Sequence, residues 1–80
     1  MAVFPNPINN FVNFKISAIK SANIEIKIFD MNGRLFIKEK RKVESGSKND
    51  VFVNTSKLLK GTYMYEIEIS GNKFSGKLIK

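Results

Sequence analysis

Eighty residues carry 14 Lys+Arg against 7 Asp+Glu, a formal net charge of +7, with no Cys and no His. The two absences exclude disulfides, zinc-finger ligand sets and any Ser-His or Cys-His catalytic pair. A chain this short buries only about 60% of the surface its unfolded form exposes, so residues 1–80 read as a single domain with a thin core and little room for a substrate pocket.

In chain order, Val3-Phe4 predicts a brief extended segment that Pro5 ends. Val12, Phe14 and Ile16 alternate with Asn13 and Lys15, the pattern of a half-buried strand over 10–17. Ile24, Ile26 and Ile28 alternate with Glu25 and Lys27 and predict a second such strand over 23–30. Asp30-Met31-Asn32-Gly33 then places Asn-Gly, whose residues tolerate positive φ, before a strand over 34–41, so these two runs form an antiparallel hairpin.

The stretch 38–50 is polar throughout and reads as a strand end running into an exposed loop. Val51 and Val53 mark a short strand over 50–54. Thr55-Ser56-Lys57-Leu58-Leu59-Lys60-Gly61 offers hydroxyls to cap a single helical turn and a Gly to end it. Tyr63, Tyr65, Ile67 and Ile69 alternate with Met64, Glu66 and Glu68 over 62–70, and Ser70-Gly71-Asn72-Lys73 turns the chain into a last strand over 73–79. The sum is an all-β chain of six to seven short, mostly antiparallel strands: a β-sandwich, with a small closed barrel as its competitor.

The basic charge favours acidic partners, but Lys15, Lys27, Lys73 and Lys77 fall at alternate positions in apolar runs, where the wet face of a half-buried sheet puts them. Glu66 and Glu68 share one face of one strand rather than facing each other across a cleft, so no carboxylate pair suits hydrolysis and the chain reads as a non-enzyme. Asp30 and Asn32 are turn formers rather than metal ligands, and no cofactor is expected. Phe14, Tyr63 and Tyr65 lie in phase with the apolar face, which argues for core filling over base stacking and against nucleic acid as a partner. Phe11, Phe29 and Phe36 are off-phase; clustered, they would form a patch for a partner. Met1 to Pro5 lacks a basic region followed by an apolar stretch, and no apolar run reaches transmembrane length, so direct membrane insertion is not expected and any export signal lies elsewhere.

Four signals occur in a fixed order: Val3-Phe4-Pro5-Asn6-Pro7, Ile28-Phe29-Asp30-Met31-Asn32-Gly33-Arg34, Leu58-Leu59-Lys60-Gly61-Thr62-Tyr63 and Gly76-Lys77-Leu78-Ile79-Lys80. Together they resemble the type A C-terminal sorting domain of the type IX (Por) secretion system of Bacteroidota, over residues 3 to 80. The resemblance implies an Ig-like β-sandwich at the end of a larger secreted protein. It implies a secretion signal read by the type IX outer-membrane translocon, with a shuttle protein and a sortase that cleaves upstream as further partners. It places the cargo at the cell surface or outside the cell, and a monomeric domain is expected. The recognition role carries onto Pro5, Asn6, Pro7, Gly33, Gly61, Tyr63, Lys77 and Lys80, with the last hairpin as the contact element and the two lysines exposed. For the prolines, the glycines and Tyr63, backbone geometry and packing are the competing explanation. The competing function is an Ig- or fibronectin-like binding module for anionic glycan or a protein partner.

Overall fold

The computed structural model describes residues 2–5 and 7–80, leaving aside the side chains of residues 47 and 48. Seven strands form: β1 (Ala2–Phe4), β2 (Phe11–Ala18), β3 (Ala22–Asp30), β4 (Leu35–Val43), β5 (Gly46–Asn54), β6 (Thr62–Ile69) and β7 (Asn72–Ile79). They pair into a three-stranded sheet, β1-β2-β5, and a four-stranded sheet, β4-β3-β6-β7, with every pairing antiparallel. Two separate sheets make a sandwich and not a closed barrel.

Period-two patterning decides which faces meet. Val12, Phe14 and Ile16 on β2 with Val51 and Val53 on β5 face Ile24, Ile26 and Ile28 on β3 with Tyr63 and Ile67 on β6, and all are buried. Each such aliphatic side chain contributes about 2 kcal/mol by leaving water, which is how so thin a core holds two sheets together. Tyr65, half-buried, sets its ring edge-on to Phe14 with centroids 5.2 Å apart. Ile8 and Leu58 enter the same core from connections rather than strands.

The hairpins expected from the turn residues are present. Ser70 and Gly71 both have positive φ, the geometry that lets a two-residue turn follow the sheet twist. In the β3–β4 turn, Gly33 donates to Asp30 O at 3.1 Å and adopts φ +85°, a left-handed conformation that the residue after such a turn requires. The Asp30 carboxylate fixes this loop by accepting from the N–H groups of Asn32 at 2.9 Å and Arg34 at 2.8 Å.

Two expectations are corrected. The polar stretch 38–50 is not a loop: β4 runs through Val43 and β5 begins at Gly46, the chain crossing between sheets in the two residues between. Here the alternation is between two kinds of polar residue. Lys38, Lys40 and Lys42 take the outer face, while Glu39 and Arg41 take the inner side of the edge strand, pair with each other, and Arg41 also donates to Phe52 O at 3.2 Å, bridging the two sheets. The side chain of Asn49 ties the crossing, accepting from Glu44 N at 3.0 Å and donating to Glu44 O at 2.8 Å. The second correction concerns 55–61, which forms no helical turn. Leu58 N donates to Thr55 O at 3.0 Å in a β-turn, and the side chain that caps it is Asn54, accepting from Ser56 N at 2.8 Å.

Candidate recognition site

Antiparallel pairing sends the end of β1, the start of β2, the β3–β4 turn, the link between β5 and β6 and the end of β7 to one pole of the sandwich. That pole gathers Pro5, Pro7, Gly33, Gly61, Tyr63 and Lys80. Asn6 lies outside the described residues. Lys77 is exposed on the outer face of β7, in register with Met64, apart from the network at the pole.

The network is made mostly of main chain. The link after β1, whose Phe4–Pro5 peptide is cis, is held to β7 by Ile8 N donating to Ile79 O at 2.8 Å. Gly61 and Lys80 exchange both backbone bonds, Lys80 N to Gly61 O at 2.8 Å and Gly61 N to Lys80 O at 3.1 Å. Tyr63 is buried with its hydroxyl donating to Leu59 O at 2.6 Å, the bond back across four residues that ties a tyrosine to the corner preceding its strand. Its ring meets Phe36 edge-on, centroids 6.1 Å apart, which joins the β3–β4 hairpin to the corner.

Thr55 is the hub, and the sequence did not mark it. It is fully buried. Its N–H donates to Asn10 O at 2.9 Å and its Oγ1 to Asn9 O at 2.8 Å, while its carbonyl accepts from Leu58 N at 3.0 Å and from Lys80 Nζ at 2.6 Å. One residue therefore ties the β1–β2 link, the β5–β6 link and the last residue of the chain. The expectation that Lys80 stands exposed is corrected: it is half-buried with its ammonium turned inward, because a backbone carbonyl left by the Thr55 turn gives it a charge-assisted partner.

Around this polar knot the rim is apolar and open. Leu59 is 81% exposed, and Met31, Phe36 and Ile79 are about half exposed. Phe11, Phe29 and Phe36 do not form the single patch considered from sequence, since Phe11 lies on the three-stranded sheet and the other two on the four-stranded one.

The outer face of the four-stranded sheet is charged. Glu25 lies 3.4 Å from Lys27 and 4.0 Å from Lys38, and Lys73 stands opposite Glu68. A shallow hollow of about 510 Å³ near the other pole is lined by such alternating charges, including Glu25, Lys40, Lys42 and Glu68. Among the described residues, no group of three or more Asp or Glu side chains is placed to hold a metal.

Residues 2–80 match the family model of the secretion system C-terminal sorting domain. The chain belongs to that family. The sorting domain finds no significant match among curated proteins or among solved structures. Membership makes it a type IX C-terminal sorting signal, a domain that engages the type IX machinery and directs export across the outer membrane to the cell surface or the extracellular space. The family is one of signals and not of catalysts.

Proposed function

We propose that the pole built around Thr55 and Lys80 is the surface by which the type IX translocon and its shuttle protein read this sorting domain. The domain is the carboxyl-terminal part of a larger secreted protein, and a sortase cuts on its amino-terminal side to release the cargo or couple it to the surface. What supports the reading is the convergence at one pole of Pro5, Pro7, Gly33, Gly61, Tyr63 and Lys80, beside exposed Leu59. A rim of apolar side chains over a rigid hydrogen-bonded base suits recognition, since little ordering cost is left to binding. Lys77, free of this base, adds a positive charge on the contacting hairpin.

The test fuses residues 3–80 behind a periplasmic reporter in a type IX-competent bacterium, where the reporter is expected at the surface. Removing residues 77–80 would take Leu78 from the core, so point changes at exposed positions are the sharper probes. Leu59→Ser is expected to lower surface display severalfold and Lys77→Glu to lower it further, with circular dichroism unchanged. Full display by the folded Leu59→Ser variant would sink the assignment of this pole, and full display by folded Lys77→Glu would remove the hairpin charge from the contact.

A further inference from the structure

The outer face of the three-stranded sheet is aromatic where that of the four-stranded sheet is charged. Register places Phe4, Asn13 and Phe52 side by side across β1, β2 and β5. Phe11 flanks Asn13 on the same face of β2, and its ring lies 5.7 Å from that of Phe52. The three phenylalanines are 38%, 41% and 54% exposed for Phe4, Phe11 and Phe52. An outward-facing sheet position is ordinarily wet, and three rings together there have no role in the core.

At the centre sits a polar group whose hydrogen bonding is incomplete. Asn13 is only 4% exposed although it points away from the core, because the rings collar it. Its Nδ2 reaches Asp50 Oδ1 at 3.4 Å, while its Oδ1 is buried and accepts nothing. A buried acceptor without a partner is destabilising, so a ligand hydroxyl or N–H that reaches it recovers that loss. Phe52, the register neighbour of Asn13 on β5, is more than half exposed, and surface side chains of that kind change rotamer in nanoseconds.

Charge and size narrow the occupant. Lys15 is the cation of this face among its described side chains, and it is engaged twice, 3.8 Å from Asp50 and over the Phe4 ring at 5.5 Å. Among the described side chains of this face Lys15 and Asp50 therefore offset each other, and no uncommitted cation is offered to a phosphate or sulfate. From Phe11 to Lys15 the strand advances about 13 Å and three strands span about 10 Å, a flat footprint on the order of 150 Å². That is several-fold short of the roughly 800 Å² per partner of a stable dimer. A small, flat, uncharged ligand with one apolar side and hydroxyls at its edge fits these terms.

We propose that this face is a binding platform for a neutral saccharide, whose ring faces pack on Phe11, Phe52 and Phe4 and one of whose hydroxyls donates to Asn13 Oδ1. The site adjoins the sorting pole at Phe4 and Phe11 but uses none of the side chains named in the pole's hydrogen-bond network.

The experiment titrates the isotope-labelled sorting domain with neutral hexasaccharides of β-1,4-, β-1,3- and α-1,4-linked glucose, of mannose and of xylose, following amide and phenylalanine resonances. Millimolar or tighter binding to at least one, with shifts centred on Phe4, Phe11, Asn13 and Phe52, is expected. Phe52→Ala is expected to weaken that binding about tenfold while leaving the fold intact. Asn13→Leu, which fills the same place without the acceptor, removes the hydroxyl contact and is read only if its spectrum is folded; Phe52→Ala stands in either case. Three results would overturn the proposal: no shift with any neutral hexasaccharide, binding confined to a sulfated or uronic-acid oligosaccharide through the lysines of the other sheet, or a dimer that Phe52→Ala dissolves.

Discussion

The ammonium of Lys80 donates to the main-chain oxygen of Thr55 at 2.6 Å, so a side chain at the end of β7 closes a turn twenty-five residues earlier. Lys80→Met keeps the apolar stem and removes the donor. It is expected to cost about 1 kcal/mol, the bond being charge-assisted but partly open to water, and to lower Tm by about 4–8 °C. Faster amide exchange at Leu58, which donates to the same oxygen, would locate the loss, and Lys80→Arg should restore most of it.

Tyr63→Phe removes one hydroxyl and leaves the packing. Leu59 O then loses its donor at 2.6 Å, with an expected loss of about 1 kcal/mol in denaturant unfolding and an unchanged m-value. A larger effect on Leu59 dynamics than on global stability would show that the hydroxyl serves to hold the exposed leucine in place.

Much of this architecture is written in the alternation of apolar and polar residues, and its failures are instructive. Ile24, Ile26 and Ile28 declare their inner face plainly because Glu25 and Lys27 separate them. The Lys38–Val43 half of β4 conceals the same alternation because both of its faces are polar, the inner one made tolerable by the Glu39–Arg41 pair and the bond to Phe52 O. Thr55 was invisible as a hub because three of its four bonds use main-chain atoms, which no side-chain pattern encodes. The inward turn of Lys80 is hidden for the same reason: its partner is a carbonyl. The aromatic face had one legible sign, Phe52 standing between Val51 and Val53, but its neighbours Phe4 and Asn13 come from strands whose register only the pairing supplies.

Gly76 lies opposite Tyr65 on the inner face of the last hairpin, and a Cβ there would come within 2.6 Å of the phenol ring. Gly76→Ala is expected to push the ring off Phe14 and cost about 1–2 kcal/mol. The double change Gly76→Ala with Tyr65→Leu should recover part of that loss, and the chemical shifts of Phe14 report the displacement.

Asp30 holds its turn as an acceptor rather than as a charge. Asp30→Asn keeps an oxygen for the N–H groups of Asn32 and Arg34 and gives up only the exposed pairing with Arg34 at 3.7 Å, so it is expected to be within about 0.5 kcal/mol of the parent. Asp30→Ala leaves both donors to water and is expected to cost about 1 kcal/mol or more. Equal losses in urea unfolding would assign the effect to the ion pair instead.

The bond from Ile8 to Ile79 has a bearing on when this sequence is able to fold. Strand β2, near the beginning, waits for β5, and the link before it waits for the last residue of β7; such distant closures are slow and leave no early portion able to stand by itself. A change that breaks the hold of Ile79 on Ile8 is therefore expected to loosen the β1–β2 link at the far edge of the other sheet.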